Sequence, residues 1–84
     1  MFYDFIICRS LTYAQRTARV LERAGIWAGI VRTPRNLSPT GCGYSVRVPQ
    51  GSLPAAIELL ERMGLPVKAA FAADGLGGYQ EVEL

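Results

Sequence analysis

The chain carries two thiols, Cys8 and Cys42, and no histidine. Without an imidazole, Ser–His and Cys–His mechanisms and every histidine-containing metal site are excluded. Two cysteines are too few for a four-cysteine zinc or iron–sulfur site within one chain. Thiol or carboxylate chemistry remains, with no metal and no cofactor expected. Cys42 lies in Gly41-Cys42-Gly43. Flanking glycines remove steric cover and permit backbone angles closed to other residues. A reaction partner can then reach the sulfur, and backbone N–H groups can surround an anion held there. Cys42 is therefore the candidate reactive or carrier thiol, against the plainer reading of a turn whose glycines only serve the backbone. Cys8 follows Phe5-Ile6-Ile7 and reads first as a small buried hydrophobe of a strand, and second as a resolving or disulfide-forming thiol.

These residues belong to a chain of 84 residues, half of them apolar and 19% charged. That composition argues for a folded globule over disorder, and the length for a single domain spanning 1–84. No apolar run approaches the roughly 20 residues of a membrane span, and no signal peptide is visible. The expected location is the cytoplasm, with no membrane partner. The net charge of +2 conceals an asymmetry: residues 1–47 hold seven arginines against Asp4 and Glu22, whereas residues 48–84 hold Arg62 and Lys68 against five acids. Arginine suits fork-like recognition of anions better than lysine does.

Spacing predicts the elements that position the thiols. Residues 2–8 read as a strand, and Ser10 as the N-cap of a helix with Leu11, Ala14, Ala18 and Leu21 on its apolar stripe. Gly25 ends that helix, and Ile26 to Arg32 form a second strand. Residues 33–43 are a loop by composition, and Tyr44 to Val48 a third strand. Ser52 is read as the cap of a second helix, with Pro54 in its first turn and Leu53, Ile57, Leu60, Ala56 and Met63 as inward candidates. Val67 to Ala72 form a fourth strand. Residues 73–84 make a turn, then either a short edge strand or a frayed tail.

Leu21-Glu22-Arg23-Ala24-Gly25-Ile26 and Leu60-Glu61-Arg62-Met63-Gly64-Leu65 match at an offset of 39 residues. The same offset lays Phe5-Ile6-Ile7 on Tyr44-Ser45-Val46. Strand–helix–strand thus occurs twice, which predicts an α+β, ferredoxin-like βαββαβ plan. It has a four-stranded antiparallel sheet ordered 4-1-3-2 with both helices on one face and a core over about residues 2–72. That order brings the end of strand 1, the start of helix 1 and the loop between strands 2 and 3 to one edge. Cys8, Ser10 and Cys42 then share a corner, with Arg9 and Arg35 as the cations at hand. A helix N-terminus and nearby arginine both favour a thiolate. Asp4, a lone acid in an apolar strand, reads as an exposed position, and Trp27 and Tyr44 as packing residues. No nucleic-acid motif is present, and no nucleic-acid partner is expected.

At the loop, Thr33-Pro34-Arg35-Asn36-Leu37-Ser38, then Cys42-Gly43 and the Tyr44–Val48 strand, resemble the small selenium/sulfur carrier-like proteins. Their pattern is a Pro-Arg pair, a Ser, and a Cys-Gly leading into a strand. Ser10, Ala14, Leu21 and Gly25 fit the earlier part, and the resemblance covers residues 3–48 best. It departs in the Ser–Cys spacing, one residue longer here, and in Ala18, where a glutamate is usual. The resemblance implies that Cys42 takes up sulfur or selenium as a persulfide or selenosulfide and passes it on. Arg35, Ser38 and the backbone of Gly41 and Gly43 would support the anion, and Ser10 the corner. The implied partners are a donor such as a cysteine desulfurase and an acceptor protein. Two rivals stand beside this reading. One is a non-catalytic interaction or small-ligand-binding module, with Tyr3, Trp27, Tyr44 and Val46 on a sheet face that pairs two copies and Cys42 incidental. The other is a redox switch through a Cys8–Cys42 bridge.

Overall fold

The computed structural model describes residues 2–37, 43–65 and 67–84. Its elements are β1 (Tyr3–Cys8), α1 (Leu11–Arg23), β2 (Gly29–Arg32), β3 (Tyr44–Pro49), α2 (Leu53–Arg62), β4 (Ala69–Ala73) and β5 (Tyr79–Glu81). The sheet has five strands in the order β2-β3-β1-β4-β5, and each neighbouring pair is antiparallel. The expected count of four is therefore corrected. Asp74-Gly75-Leu76-Gly77-Gly78 turns the chain back, and Asp74 Oδ1 accepts from the N–H groups of Leu76 and Gly78, at 2.7 and 3.0 Å. This Asx-type turn delivers Tyr79 opposite Ala73. The tail thus becomes an edge strand instead of fraying.

Alternation along the strands sends Ile6, Cys8, Val46, Val48 and Ala70 to one side. There they pack with Ala14, Ala18 and Leu21 of α1 and with Leu53, Ala56 and Leu60 of α2. Both helices accordingly cover the same face. Phe5 and Ile7 point the other way and pack with Leu37, Val31, Phe71 and Tyr79. Of the four residues expected on the outer face, Tyr3 and Trp27 lie there, beside Arg47, whereas Val46 and Tyr44 lie on the helix side.

Two expected stripe residues stay outside. Leu11 is 42% and Met63 58% exposed, because each sits at an end of its helix, beyond the part that crosses the sheet. Ser52 occupies the N-cap of α2, but in αR geometry its hydroxyl makes no capping bond. The repeated hexapeptide has a structural meaning. Ile26 N–H donates to Leu21 O and Gly25 N–H to Glu22 O, while Leu65 N–H donates to Leu60 O and Gly64 N–H to Glu61 O. Each copy is a Schellman cap with glycine at positive φ and an apolar residue folding back onto the core. Ile26 is consumed by the cap, so β2 starts only at Gly29. The strands do not share the offset of 39. That offset lays Ile6, which faces the helices, on Ser45, which pairs with Ile7 of the outer face, so the match holds for the helix ends and not for the strand faces.

On the outer face the Trp27 ring lies 5.6 Å from that of Tyr3, and the Arg47 guanidinium sits over both rings, at 5.6 and 4.8 Å. Arg47 Nε is buried without a hydrogen-bond partner, so ring contacts replace it there. A Cβ on Gly29 would come within 2.8 Å of Trp27 Cη2 and 3.3 Å of Arg47 Nε. Gly29→Ala should therefore push Trp27, the single tryptophan, off this stack. The expected readout is a red-shifted emission with less than about 1 kcal/mol of destabilisation, because the exposed ring can yield. Unchanged emission would contradict the stack.

Candidate functional site

β1 delivers Cys8 to the sheet edge at which α1 begins. Ser10 is extended and caps the helix: its Oγ accepts from Tyr13 N–H at 3.3 Å, and its carbonyl accepts from Ala14 N–H at 3.0 Å. The hydroxyl of Ser10 is thereby engaged in holding the helix start and serves the corner through position.

The Cys8 thiol belongs to the buried core. Its Sγ lies 3.8 Å from Ile6 O and 3.9 Å from Thr17 Oγ1, both long contacts. Burial pushes the thiol above its ordinary pKa, and the weak bond to Thr17 only partly offsets this. Cys8 also lines a cavity of about 260 Å³ with Arg9, Tyr13 and Lys68. The Arg9 guanidinium rests 5.1 Å from the centre of the Tyr13 ring. This opening joins two cations at the start of α1. Arg9 was legible in the sequence. Lys68 was not, because only the β1–β4 pairing, which runs from Phe5↔Phe71 to Ile7↔Ala69, brings the start of β4 beside Cys8.

The loop after β2 is anchored to the same edge. Thr33 N–H donates to Gly43 O at 3.2 Å. Thr33 Oγ1 and Ser45 Oγ, both buried, lie 2.6 Å apart. Leu37 N–H donates to Pro34 O at 2.9 Å, which makes a turn, and the Leu37 side chain plugs onto Phe5 and Ile7. Arg35 is left exposed at that turn. Gly43 adopts φ +115°, and a Cβ there would sit 3.7 Å from both Cys8 O and Thr33 Oγ1. Space would allow a side chain, so it is the backbone angle that favours glycine.

Of the residues singled out in the sequence, the structure brings Cys8, Ser10 and Gly43 to one corner, with Arg9 at its cavity. Arg35 lies on the adjoining turn. Ser38, Gly41 and Cys42 fall outside the described residues. The Thr33–Ser45 hydroxyl pair went unread, since neither residue stands out until the register of β2 and β3 places Val31 opposite Ser45. Asp4 corrects an expectation outright. It is 2% exposed, and its carboxylate accepts from Ala73 N–H at 2.9 Å and Gly51 N–H at 3.2 Å. Among the described residues no group of three acids or cysteines is arranged to hold a metal. Among the described residues no helix is long and apolar enough to cross a membrane.

No curated protein and no solved structure matches the chain. A family model does, the one described as "Putative Se/S carrier protein-like", and it covers residues 3–72. That match takes in both helices, β1 to β3 and all but the last residue of β4, the corner around Cys8 and Gly43, and the Pro-Arg to Cys-Gly segment, so the chain belongs to the Se/S carrier protein-like family.

Proposed function

We propose that this protein carries a sulfur or selenium atom on Cys42, as a persulfide or selenosulfide, between a donor and an acceptor protein. The observation that carries the reading is the family match across residues 3–72. The chemistry of the two thiols agrees with it. Burial holds Cys8 in its protonated, unreactive form, which leaves Cys42, between two glycines, as the working nucleophile. The fold reading that goes with it is ferredoxin-like, with β5 added beside β4.

Transfer needs no oxidant. The Cys42 thiolate attacks the outer sulfur of a donor persulfide. The donor's S–S bond breaks, the donor leaves as a thiolate, and the new S–S bond carries the negative charge on its terminal atom. Attack on that terminal atom by an acceptor thiolate reverses the sequence and returns Cys42 as a thiolate. Backbone N–H groups of Gly41 and Gly43, Ser38 and Arg35 would stabilise the terminal anion. Arg9 and Lys68 add positive charge at the corner next to Gly43. The donor fits a cysteine desulfurase, which presents its cargo as a persulfide.

Intact mass after incubation with inorganic polysulfide tests the reading. Wild type and Cys8→Ala should each gain one sulfur that a reducing agent removes, and Cys42→Ala should gain none. Equal gain by Cys42→Ala and wild type would end the proposal at that residue.

A further inference from the structure

The outward side of α1 holds Arg16, Arg19 and Arg23, all exposed. At spacings of three and four they form one row along the helix. Glu22 is the single acid of α1, and the salt bridge found among the described residues joins Arg62 to Glu58 on α2. Among the described residues no acid of α2 forms an ion pair with the row. Two recesses flank it. Toward α2, a depression of about 230 Å³ is lined by Val20, Met63 and Leu65 beneath Arg16, Arg19 and Arg23. Toward β2, a second depression is mixed in character: the 40% exposed Ile30 and Ala18 line it with Gln15, Arg19, Glu22 and Arg23.

We infer that this face docks an acidic segment of a partner protein, one that presents an aliphatic or aromatic side chain between carboxylates. Guanidinium groups meet carboxylates in paired hydrogen bonds, and a recess of this size takes one such side chain over Met63. The inference rests on the carrier reading and deepens it, because it names where the donor or acceptor would sit. Arg16 lies about 9 Å along α1 from Ser10, so a partner lying on the row reaches the corner that holds Cys8 and Gly43. Nucleic acid fits less well. Glu22 interrupts the positive face, and the Tyr3–Trp27–Arg47 cluster that could stack bases lies on the other side of the sheet. A lipid surface fits less well because the apolar groups lie in separate recesses.

The test is fluorescence anisotropy on the full chain with a labelled peptide of glutamates interrupted by leucines. A companion peptide carries serine at each leucine. Wild type should bind the leucine peptide more tightly than the serine peptide, and more weakly as salt rises. Arg19→Glu/Arg23→Glu should weaken binding about 10-fold at low salt. Met63→Ser, at an exposed site that leaves the fold intact, should reduce preference for the leucine peptide. Equal binding of both peptides, undiminished binding by the double variant, or tighter binding of a labelled single-stranded oligonucleotide or of phosphatidylglycerol vesicles would each overturn the inference. The readout is binding and not sulfur loading, so Arg-dependent capture of the leucine peptide would uphold the docking face even if polysulfide failed to load Cys42.

Discussion

Asp4→Ala is expected to destabilise the protein by about 2–4 kcal/mol, the largest loss from any single polar side chain described here. The carboxylate does the work of missing backbone partners. The ladder between β1 and β4 reaches only to Phe5↔Phe71, so Ala73 N–H, beyond that end, has no strand partner on β1 and donates to Asp4 Oδ1 instead. Gly51 N–H, just ahead of α2, donates to Oδ2. The second bond places negative charge at a helix start that has no acid in its first turn and no hydroxyl cap. Alanine would leave both donors without the acceptor. A recess of about 520 Å³ beside Asp4, Gly51 and Ala73 would admit water and soften the loss. Asp4→Asn should fall in between, because its single amide oxygen can serve only one donor well while its NH2 group opposes the other. Urea melts read this as a lowered midpoint at unchanged slope. A shift below about 0.5 kcal/mol for Asp4→Ala would refute the tie.

The second large effect concerns Cys8. In a Cys42→Ala background, iodoacetamide should modify Cys8 on the order of 100-fold more slowly in the folded protein than in urea. Cys8 is 8% exposed at the edge of its cavity, so full access to the thiol needs local opening of the corner, at a cost of about 3 kcal/mol. Burial raises the pKa of the thiol, so the folded protein retains this proton at pH values where the unfolded chain has released it. The unfolded chain then binds fewer protons, and stability falls as pH climbs past the ordinary thiol range of about 8.5. Cys8→Ala should lessen that alkaline loss. Fast modification of Cys8 at neutral pH would instead make it a second carrier candidate and weaken the assignment to Cys42.

The same corner explains which parts of the site were readable. Ser10 was legible as a cap because a hydroxyl ahead of an apolar helical stripe has one dominant local use, and its Oγ makes that bond. Cys8 was legible as a core residue from its apolar run. Lys68 and the Thr33–Ser45 pair were not legible, since each depends on which strand lies beside which. Asp4 departs from its expected exposure for a related reason. A lone acid in a strand is normally solvated, and only the short β4 pairing and the β3–α2 turn supply donors that make its burial tolerable.

Local order was written into the chain itself. Both Schellman caps, the Ser10 cap, the apolar stripes of α1 and α2 and the alternation of β3 arise from neighbours within about six residues, whose preferences act without the rest of the fold. The repeated Leu-Glu-Arg-x-Gly segment is such a case, because glycine at positive φ after a helix ends it wherever it occurs. Tertiary structure decided what depends on partners distant in sequence. It set the fifth strand against β4, turned Val46 toward the helices, buried Asp4 between donors 47 and 69 residues away, and placed Lys68 at the mouth of the Cys8 cavity. In each case the energy comes from groups that meet only after the chain has closed, so no local pattern encodes them.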